Sequence, residues 1–420
     1  MIPDPSQRWS NGSSKRPSRY FFVYVSRKNG RPPVRVPDKE YSLVIEKLVH
    51  GGYGLARTES GIVFVRGVVA GETVTAVPAE LQGGVTVMDV VVVVNESPFR
   101  RRPSCPHFGR CGGCDWLHID HERQIVFKGA IFAEALRRLG GIDRFPEPQV
   151  IAAAEFGYRR RAQFKIDGAG QCGFYRRGTN EVVPIDRCPL LTDRLNDLFG
   201  AAGRYDCSEN GDVRSVKFVD GDETVASDPV LDGLTVFHTT IRCGDVRLSV
   251  GGGDFVQGNR YLLKPLADVV AQHCRGETLV DLYGGTGFFS LTVGREFKKG
   301  WLVETDKAMV SRASENFAQH GLSSFSAIAA PAEKMEQYIP KHPDVLIVDP
   351  PRPGLTRKAR AAVVRCCPKK IVYISCDCAT QARDAGYFIK GGGYRICASV
   401  LVDLYPNTSH TETILVFERE

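Results

Sequence analysis

The 420-residue sequence has no apolar run approaching the roughly 18 residues that cross a bilayer, and its opening, MIPDPSQRWS, lacks the unbroken apolar stretch of a secretory leader. Both absences predict a soluble, cytoplasmic protein with no membrane partner. Charge of either sign is nearly balanced outside one end. Nine Lys/Arg against three Asp/Glu in residues 1–40 account for +6 of the formal +7, so the basicity belongs to one stretch and the rest is almost neutral. The cysteines lack even parity: there are 13, in a chain large enough to bury a core without staples. That argues against a disulfide framework and for reduced thiols serving metal binding or chemistry. At about 150 residues per domain, the length fits two or three domains.

Composition along the chain divides it. Residues 1–40 mix Pro, Ser, Gly and basic residues around one short aromatic stretch, which predicts a flexible basic tail. Residues 41–97 carry short β-rich runs (YSLVIEKLV, GIVFVRGVVAGETVTAV, VTVMDVVVVV) with Gly51, Gly52 and Gly54 at the corners, the pattern of a small closed or nearly closed β-barrel. Residues 98–256 open on a Pro/Arg linker and a cysteine cluster. A helical spacing follows over 121–139, ended by Gly140-Gly141, and then a strand-rich mixed α+β segment. From about residue 257 onward, strands alternate with helical patterns, which predicts a doubly wound, mainly parallel sheet whose ligands sit at the carboxyl ends of its strands.

Several motifs fall at those ends. Asp281-Leu282-Tyr283-Gly284-Gly285-Thr286-Gly287 closes the first strand and Glu304 closes the next, glycines for close backbone approach and an acid able to accept from ribose hydroxyls. The dinucleotide fingerprint is incomplete here, and the pattern is similar to that of S-adenosylmethionine methyltransferases. Asp349 enters a rigid Pro350-Pro351 turn that holds its carboxylate at the sheet edge. Cys376 and Cys378 stand at another strand end just before a helix, where unpaired N–H groups would stabilise a thiolate; the motif does not say which of the two is placed to use them. Cys105, Cys111 and Cys114 form CxxxxxCGGC, soft ligands suited to iron–sulfur or zinc, with Gly112 and Gly113 letting the backbone wrap closely.

Taken in order, DLYGGTG, DPPRPGL, SCDCATQARD and the terminal HTETILVFER resemble the RNA uracil-C5 (5-methyluridine) methyltransferase family, the type with a TRAM barrel and a 4Fe–4S cluster. YSLVIEKLVHGGYGLA, GYRRRAQFKI and GFYRRGTNEVVPIDRCPL extend the resemblance to roughly residues 41–420. It implies a multi-domain fold: an N-terminal TRAM/OB-like β-barrel, a mixed α+β central domain with the cluster, and a C-terminal α/β Rossmann-like S-adenosylmethionine methyltransferase domain. The helix near 121–139 would pack on the last of these. The resemblance further implies Cys376 as nucleophile, Glu412 as base, and Gln257 (within a Phe255-x-Gln257-x-Asn259 motif), Tyr283, Gly285, Glu304 and Asp349 at the cofactor and uracil. It adds Cys188 as the distant fourth ligand beside Cys105, Cys111 and Cys114, and favours a 4Fe–4S cluster over structural zinc. RNA is the implied partner, ribosomal RNA preferred and transfer RNA the alternative, with the protein acting as a monomer; a catalytically inactive RNA-binding relative is a further reading.

The sequence departs from the family pattern at Asp377-Cys378, where Asn-Pro is usual, and an added carboxylate beside a thiolate should raise the thiol pKa. Gly284, Phe288 and Asn407 are further departures. Arg159, Arg160, Arg161, Lys165, Arg176 and Arg177, interleaved with Tyr158, Phe174 and Tyr175, form a candidate phosphate-holding and base-stacking face. Cys172, Cys207, Cys243, Cys274, Cys366, Cys367 and Cys397 match no motif and are expected to be structural.

Overall fold

The structure, a computed structural model, describes residues 39–204 and 214–420; most of the expected basic tail and Cys207 lie outside the described residues. The described residues form two compact units, one comprising residues 39–47 and Tyr53–Pro98, the other the turn Leu48–Gly52 together with the described residues of Phe99–Glu420. No helix among the described residues is long and apolar enough to cross a membrane.

The first unit holds β1 (Tyr41–Val44), β3 (Tyr53–Thr58), β4 (Gly61–Arg66), β5 (Thr73–Gln82) and β6 (Val85–Asn95), in a six-stranded sheet ordered β1-β5-β6-β4-β3 with β2 (Lys47–Val49) last. Alternation puts Val63, Val65, Val74 and Ala76 inward, where they meet Leu43 and Met88 in one small core. Register shifts in the β5–β6 ladder, between Thr73 and Val74, Thr75 and Ala76, and Pro78 and Glu80, bend and twist these long strands. Of the three corner glycines, Gly51 and Gly52 adopt left-handed φ values of 87° and 85°. Gly54 serves another purpose: a Cβ there would lie 2.4 Å from a Val68 methyl, so the requirement is packing rather than a bend.

In the larger unit, α1 (His121–Ala135) is capped by Asp120 and runs on through a π turn, Leu136–Gly140, to left-handed Gly141. β7 (Gln149–Ile151) follows. The central sheet is antiparallel, built from β8 (Arg161–Ile166), β9 (Cys172–Tyr175), β10 (Val182–Pro184), β11 (Arg214–Asp220) and β12 (Val225–Asp228), in the order β10-β9-β8-β11-β12. Its core centres on Phe164, stacked on Phe199 at 4.1 Å between ring centroids. The helices α2 (Asp193–Asp197) and α3 (Phe199–Arg204) close that side, and a hairpin of β13 (His238–Cys243) and β14 (Val246–Gly251) leads onward.

The third sheet has eight strands, ordered β17-β16-β15-β18-β19-β21-β20-β7. In chain order its elements are α4 (Leu263–His273), β15 (Thr278–Leu282), α5 (Phe288–Val293), β16 (Lys299–Glu304), α6 (Lys307–Gln319), β17 (Phe325–Ala329), β18 (Val345–Val348), α7 (Arg357–Cys366), β19 (Lys370–Ser375), α8 (Cys378–Gly392), β20 (Tyr394–Val402) and β21 (Glu412–Arg419). The first five strands by position, β17 to β19, are parallel, while β21 inserts antiparallel between β19 and β20. Covered on both faces, β18 is apolar and buried at every position, as parallel strands demand. The order reverses between β16 and β18 on either side of β15, and that crevice is where such sheets bind ligands. Helix α1 and its π turn pack on α8 with backbone contact: a Cβ on Gly386 would lie 2.5 Å from the Gly140 carbonyl.

Candidate active site

The first side of the site is a backbone cradle at the end of β15. Tyr283 takes a left-handed φ of 61°, Gly285 follows at 54°, and Gly287, at 93°, starts α5. A non-glycine residue in this conformation is strained, so the turn is over-determined by its surroundings. Asn316 donates to the Thr286 carbonyl at 3.0 Å, and the Glu304 carboxylate accepts from Gly285 N at 3.3 Å and Asp306 N at 3.1 Å. These fix the loop and aim Glu304 across it. The adjoining pocket, about 460 Å³ counting space open to solvent, is lined by Phe255, Gln257, Tyr283, Gly285, Phe288 and Asp349, among others.

Below it, Asp281 is fully buried. One of its oxygens accepts from Ser290 N and Oγ at 3.1 and 2.7 Å, while Oδ1 has no partner. Burial, and more weakly the Glu304 charge, push its carboxyl up to about 6. Gln257 donates from Nε2 to Asp349 Oδ2 at 3.4 Å, and its own Oε1 is buried without a partner. An unpaired buried carbonyl is costly, and a ligand donor entering the cavity would relieve it. The third member of the FxQxN motif, Asn259, is instead fully engaged by the fold, donating to the Leu404 carbonyl at 3.1 Å and accepting from Tyr261 N.

The second side is a consequence of strand register. β19 and β21 pair antiparallel up to Ser375 opposite Thr413, which leaves Cys376 and Glu412 as the next residues beyond that pair, close enough for the Glu412 charge to act on the thiol. Glu412 is buried, and burial followed by the Asp349 charge drives its carboxyl well above the usual range, with Arg352 opposing. Asp349 is itself raised, by burial and by Asp281. A line of mutually repelling acids therefore runs from Asp281 through Asp349 to Glu412.

Cys376 differs from the expected preformed thiolate. Burial, then Glu412 and Asp349, push its thiol up to about 12, and Asp377 adds to the rise. The helix terminus does not offset this, because Cys376 lies one residue before the N-cap of α8. Asp377 is its N-cap and accepts from Ala379 N and Thr380 N at 3.1 and 2.9 Å, so the free N–H groups are already taken. The two cysteines are nonetheless separated clearly. Cys378 is completely buried within α8, whereas Cys376, between β19 and α8, is half-buried.

Tyr405 is absent from every sequence motif and yet belongs here. Its phenol is raised above its ordinary range by burial and then by Glu412 and Cys376. The loop that carries it is anchored from afar: Lys128 donates to its carbonyl at 3.0 Å, and buried Asn407, at a left-handed φ of 66°, accepts from Arg101 and Gln124 and donates to the Glu155 carbonyl. Asn tolerates that conformation better than most residues, which accounts for its presence in this chain.

Cys105, Cys111, Cys114 and Cys188 line a single cavity of about 430 Å³. Gly112 N donates to the Tyr175 carbonyl at 2.9 Å, a backbone approach that a Cβ would crowd at 3.0 Å, and Cys188 N donates to Asn196 Oδ1 at 2.8 Å. Burial raises Cys111 to about 11, with Cys188 and Cys105 adding to it, and raises Cys114 and Cys188 as well. Among the described residues no three His, Cys, Asp or Glu side chains are already drawn together in a metal-ligating arrangement.

The expected RNA face is corrected in part. Tyr158 is buried and donates to the Pro406 carbonyl at 3.1 Å, and Phe174 packs edge-on against Phe164 and Phe199, so neither ring is free to stack on a base. Arg160 is buried against the Asp220 carbonyl. Arg161, half-buried, lies 5.5 Å from the exposed Phe255 ring at the mouth of the cofactor cavity. Of the unmatched cysteines, Cys172, Cys243, Cys274 and Cys366 are buried.

Comparison with known proteins adds to this geometry. The family profile described as tRNA (Uracil-5-)-methyltransferase matches residues 253–420. The 23S rRNA (uracil(1939)-C(5))-methyltransferase RlmD of Alkalilimnicola ehrlichii is 30% identical, over 93% of this chain and 99% of its own. An uncharacterised RNA methyltransferase of Aquifex aeolicus is 31% identical, over 91% and 99% respectively. Among solved structures, the Pyrococcus abyssi tRNA (uracil-54, C5)-methyltransferase in complex with S-adenosyl-L-homocysteine matches with a TM-score of 0.69 at 23% identity, covering 90% of this chain and 100% of that one, a likeness of fold. With similarity at this level running the length of both chains, and with thiol, buried acid and glycine cradle at one edge of the same sheet, the chain belongs to the RNA uracil-C5 methyltransferase family.

Proposed function

We propose that this protein methylates C5 of one uridine in 23S ribosomal RNA, acting as a cytoplasmic monomer. The observation that carries the reading is that the β19–β21 ladder brings Cys376 and buried Glu412 together just past its last pair, with Asp349, which lines the neighbouring pocket, acting on both. S-adenosylmethionine bound there would supply an electrophilic methyl group. Gln257, Tyr283, Gly285, Glu304 and Asp349 would hold it, Glu304 by accepting from ribose hydroxyls and Gln257 through its unpaired carbonyl.

Uracil C5 is a weak carbon nucleophile. Cys376, once ionised, adds through sulfur to C6, and the electron pair of the C5–C6 double bond moves toward the O4 carbonyl as an enolate. C5 then takes the methyl group. Glu412, ionised at that stage, removes the remaining C5 proton, and its electron pair re-forms the double bond as the C6–S bond breaks and the thiolate leaves. The raised carboxyl of Glu412 suits a group that must accept a proton from carbon. To reach Cys376 the uridine must leave its stack, which costs a few kcal/mol and least in loops.

The four thiols on one cavity fit a 4Fe–4S cluster held by Cys105, Cys111, Cys114 and Cys188, with zinc as the alternative. Such a group would clamp the Cys105–Cys114 segment to the loop after β10. The first unit would serve as a TRAM-like RNA-binding module. Incubating purified protein with labelled S-adenosylmethionine and RNA lacking 5-methyluridine tests the function. Label in a single ribosomal uridine supports it, label in transfer RNA moves the assignment to that substrate, and RNA binding without transfer overturns the enzymatic reading.

A further inference from the structure

The turn Leu48–Gly52, part of the larger unit, brings a histidine to the nucleophile's neighbour. His50 Nε2 lies 3.3 Å from Asp377 Oδ2, and its Nδ1 lies 3.9 Å from Cys378 Sγ. The turn is held in place: Trp116 Nε1 donates to the Gly52 carbonyl at 3.2 Å, and left-handed Gly51 and Gly52 allow the chain to double back.

We propose that His50 is a positioning residue for the reaction, its imidazolium pairing with Asp377 and cancelling the charge that this carboxylate would otherwise present to the Cys376 thiolate. The proposal rests on Cys376 being the nucleophile. Electrostatic accounting around the sulfur shows why such a partner matters. Burial first, and then three acids, Glu412, Asp349 and Asp377, act to keep the thiol protonated, and Arg352 opposes them. Arg352 is shared with His410, whose ring nitrogens lie 2.9 and 3.1 Å from it, and burial together with Arg352 pushes His410 down to about 4, so that ring brings no positive charge near neutrality. Asp377 also cannot simply turn away, because it caps α8 through Ala379 N and Thr380 N.

The pair has the charge state this requires. Hydrogen bonds to Asp377 and then Cys378 carry His50 up to about 10. Burial would raise Asp377, but the His50 hydrogen bond and the Thr380 N–H outweigh it and hold the carboxyl at about 2. Both groups are therefore charged across the neutral range. An opposite charge in direct contact removes most of the field of Asp377 a few ångströms away.

The test uses the full chain. The rate of Cys376 alkylation by iodoacetamide, followed at that residue by mass spectrometry across a pH series, reports ionisation of the thiol without any methyl transfer. In His50→Ala the midpoint should move up by roughly half a unit to one unit, and the rising limb of kcat/KM should move with it. In the double variant His50→Ala/Asp377→Asn both should return to the wild-type position, since Asn still caps α8 and carries no charge. An unmoved midpoint in His50→Ala, or a shift that persists in the double variant, overturns the proposal; the second outcome would mean that His50 supports the turn and not the charge balance. Failure of the underlying reading looks different: Cys376→Ala would then still transfer methyl groups, whatever the alkylation profiles show.

Discussion

Lys128 Nζ stands 2.5 Å from Asp403 Oδ1, and neither side chain has any exposure to solvent. His121 completes the group at 2.8 Å from the other carboxylate oxygen, and Lys128 also donates to the Tyr405 carbonyl. Helix α1 is thereby tied to the loop between β20 and β21, the loop that leads directly into Glu412. Burial alone would raise the Asp403 carboxyl, but Lys128 and His121 outweigh it and hold it below its ordinary range.

Removing one partner of such a pair leaves a buried, uncompensated charge. Lys128→Met should therefore lose about 3–5 kcal/mol of stability in urea unfolding, less the part that His121 can still offset. Lys128→Met/Asp403→Asn should recover much of that loss, because no net charge then remains in the interior. A single variant as stable as the wild type would show that the carboxylate finds another partner or takes up a proton.

Glu412 separates the early and late halves of the proposed reaction. Cys376→Ala should abolish methyl transfer, since no adduct forms. Glu412→Gln should still form the adduct and accept the methyl group but release product slowly, with turnover reduced by roughly 10²–10⁴. Protein–RNA complexes that survive denaturing gels and carry labelled methyl are the expected signature. Rapid turnover by Glu412→Gln would assign proton removal to another group, and Asp349 would be the first to examine.

Most of the turns and strand ends that frame the site were legible in the sequence because their signals are local. A glycine-rich turn, a Pro-Pro turn and a thiol at a strand end each carry their own signal, and alternation between strands and helices says that all of them come to one edge. What could not be read depends on long-range contact. Tyr405 and the Lys128–Asp403 pair join segments some 275 residues apart, with no motif in either. Tyr158 sits in an Arg-rich stretch that looks like a solvent face, but its ring turns inward to meet the Pro406 carbonyl. The sequence puts both thiols near a helix N-terminus without choosing between them; what it does not show is that Asp377 caps that helix itself and that Cys376 is left among acids.

Those acids give stability a pH dependence of definite sign. Folding raises Asp349 to about 7 and Asp281 to about 6, from ordinary carboxyl values near 4, so the folded state binds protons more tightly than the unfolded one. Their contribution is fully present below the ordinary range and lost as pH rises through 6 to 7. Asp344 has the opposite sign: hydrogen bonds from Lys369 and the backbone outweigh its burial and lower it to about 2, so its contribution is present above the ordinary range and lost as pH falls toward 2. Asp349→Asn should accordingly raise Tm at pH 8 by roughly 2–4 °C and change it little at pH 4. Equal effects at both pH values would mean that the carboxyl is not protonated on folding.

The cysteine cavity makes the remaining prediction. Burial, with the neighbouring cysteines adding to it, raises the Cys111, Cys114 and Cys188 thiols, so thiolates are unfavourable there on their own, and a cation shared among them would turn that penalty into binding energy. Because Cys188 lies more than 70 residues beyond Cys114, a bound metal also closes a long loop and should stabilise the central domain as well as occupy it. Protein purified without oxygen should contain about four iron and four sulfide per chain and absorb near 400 nm. Cys188→Ser should lose both the iron and part of the thermal stability, and stripping metal from the wild type should lower Tm to the value of that variant. One zinc per chain with no iron would keep the clamp and change its metal. Stability unaffected by Cys188→Ser and by chelation would remove the clamp altogether, leaving the Asn196 hydrogen bonds to hold the loop alone.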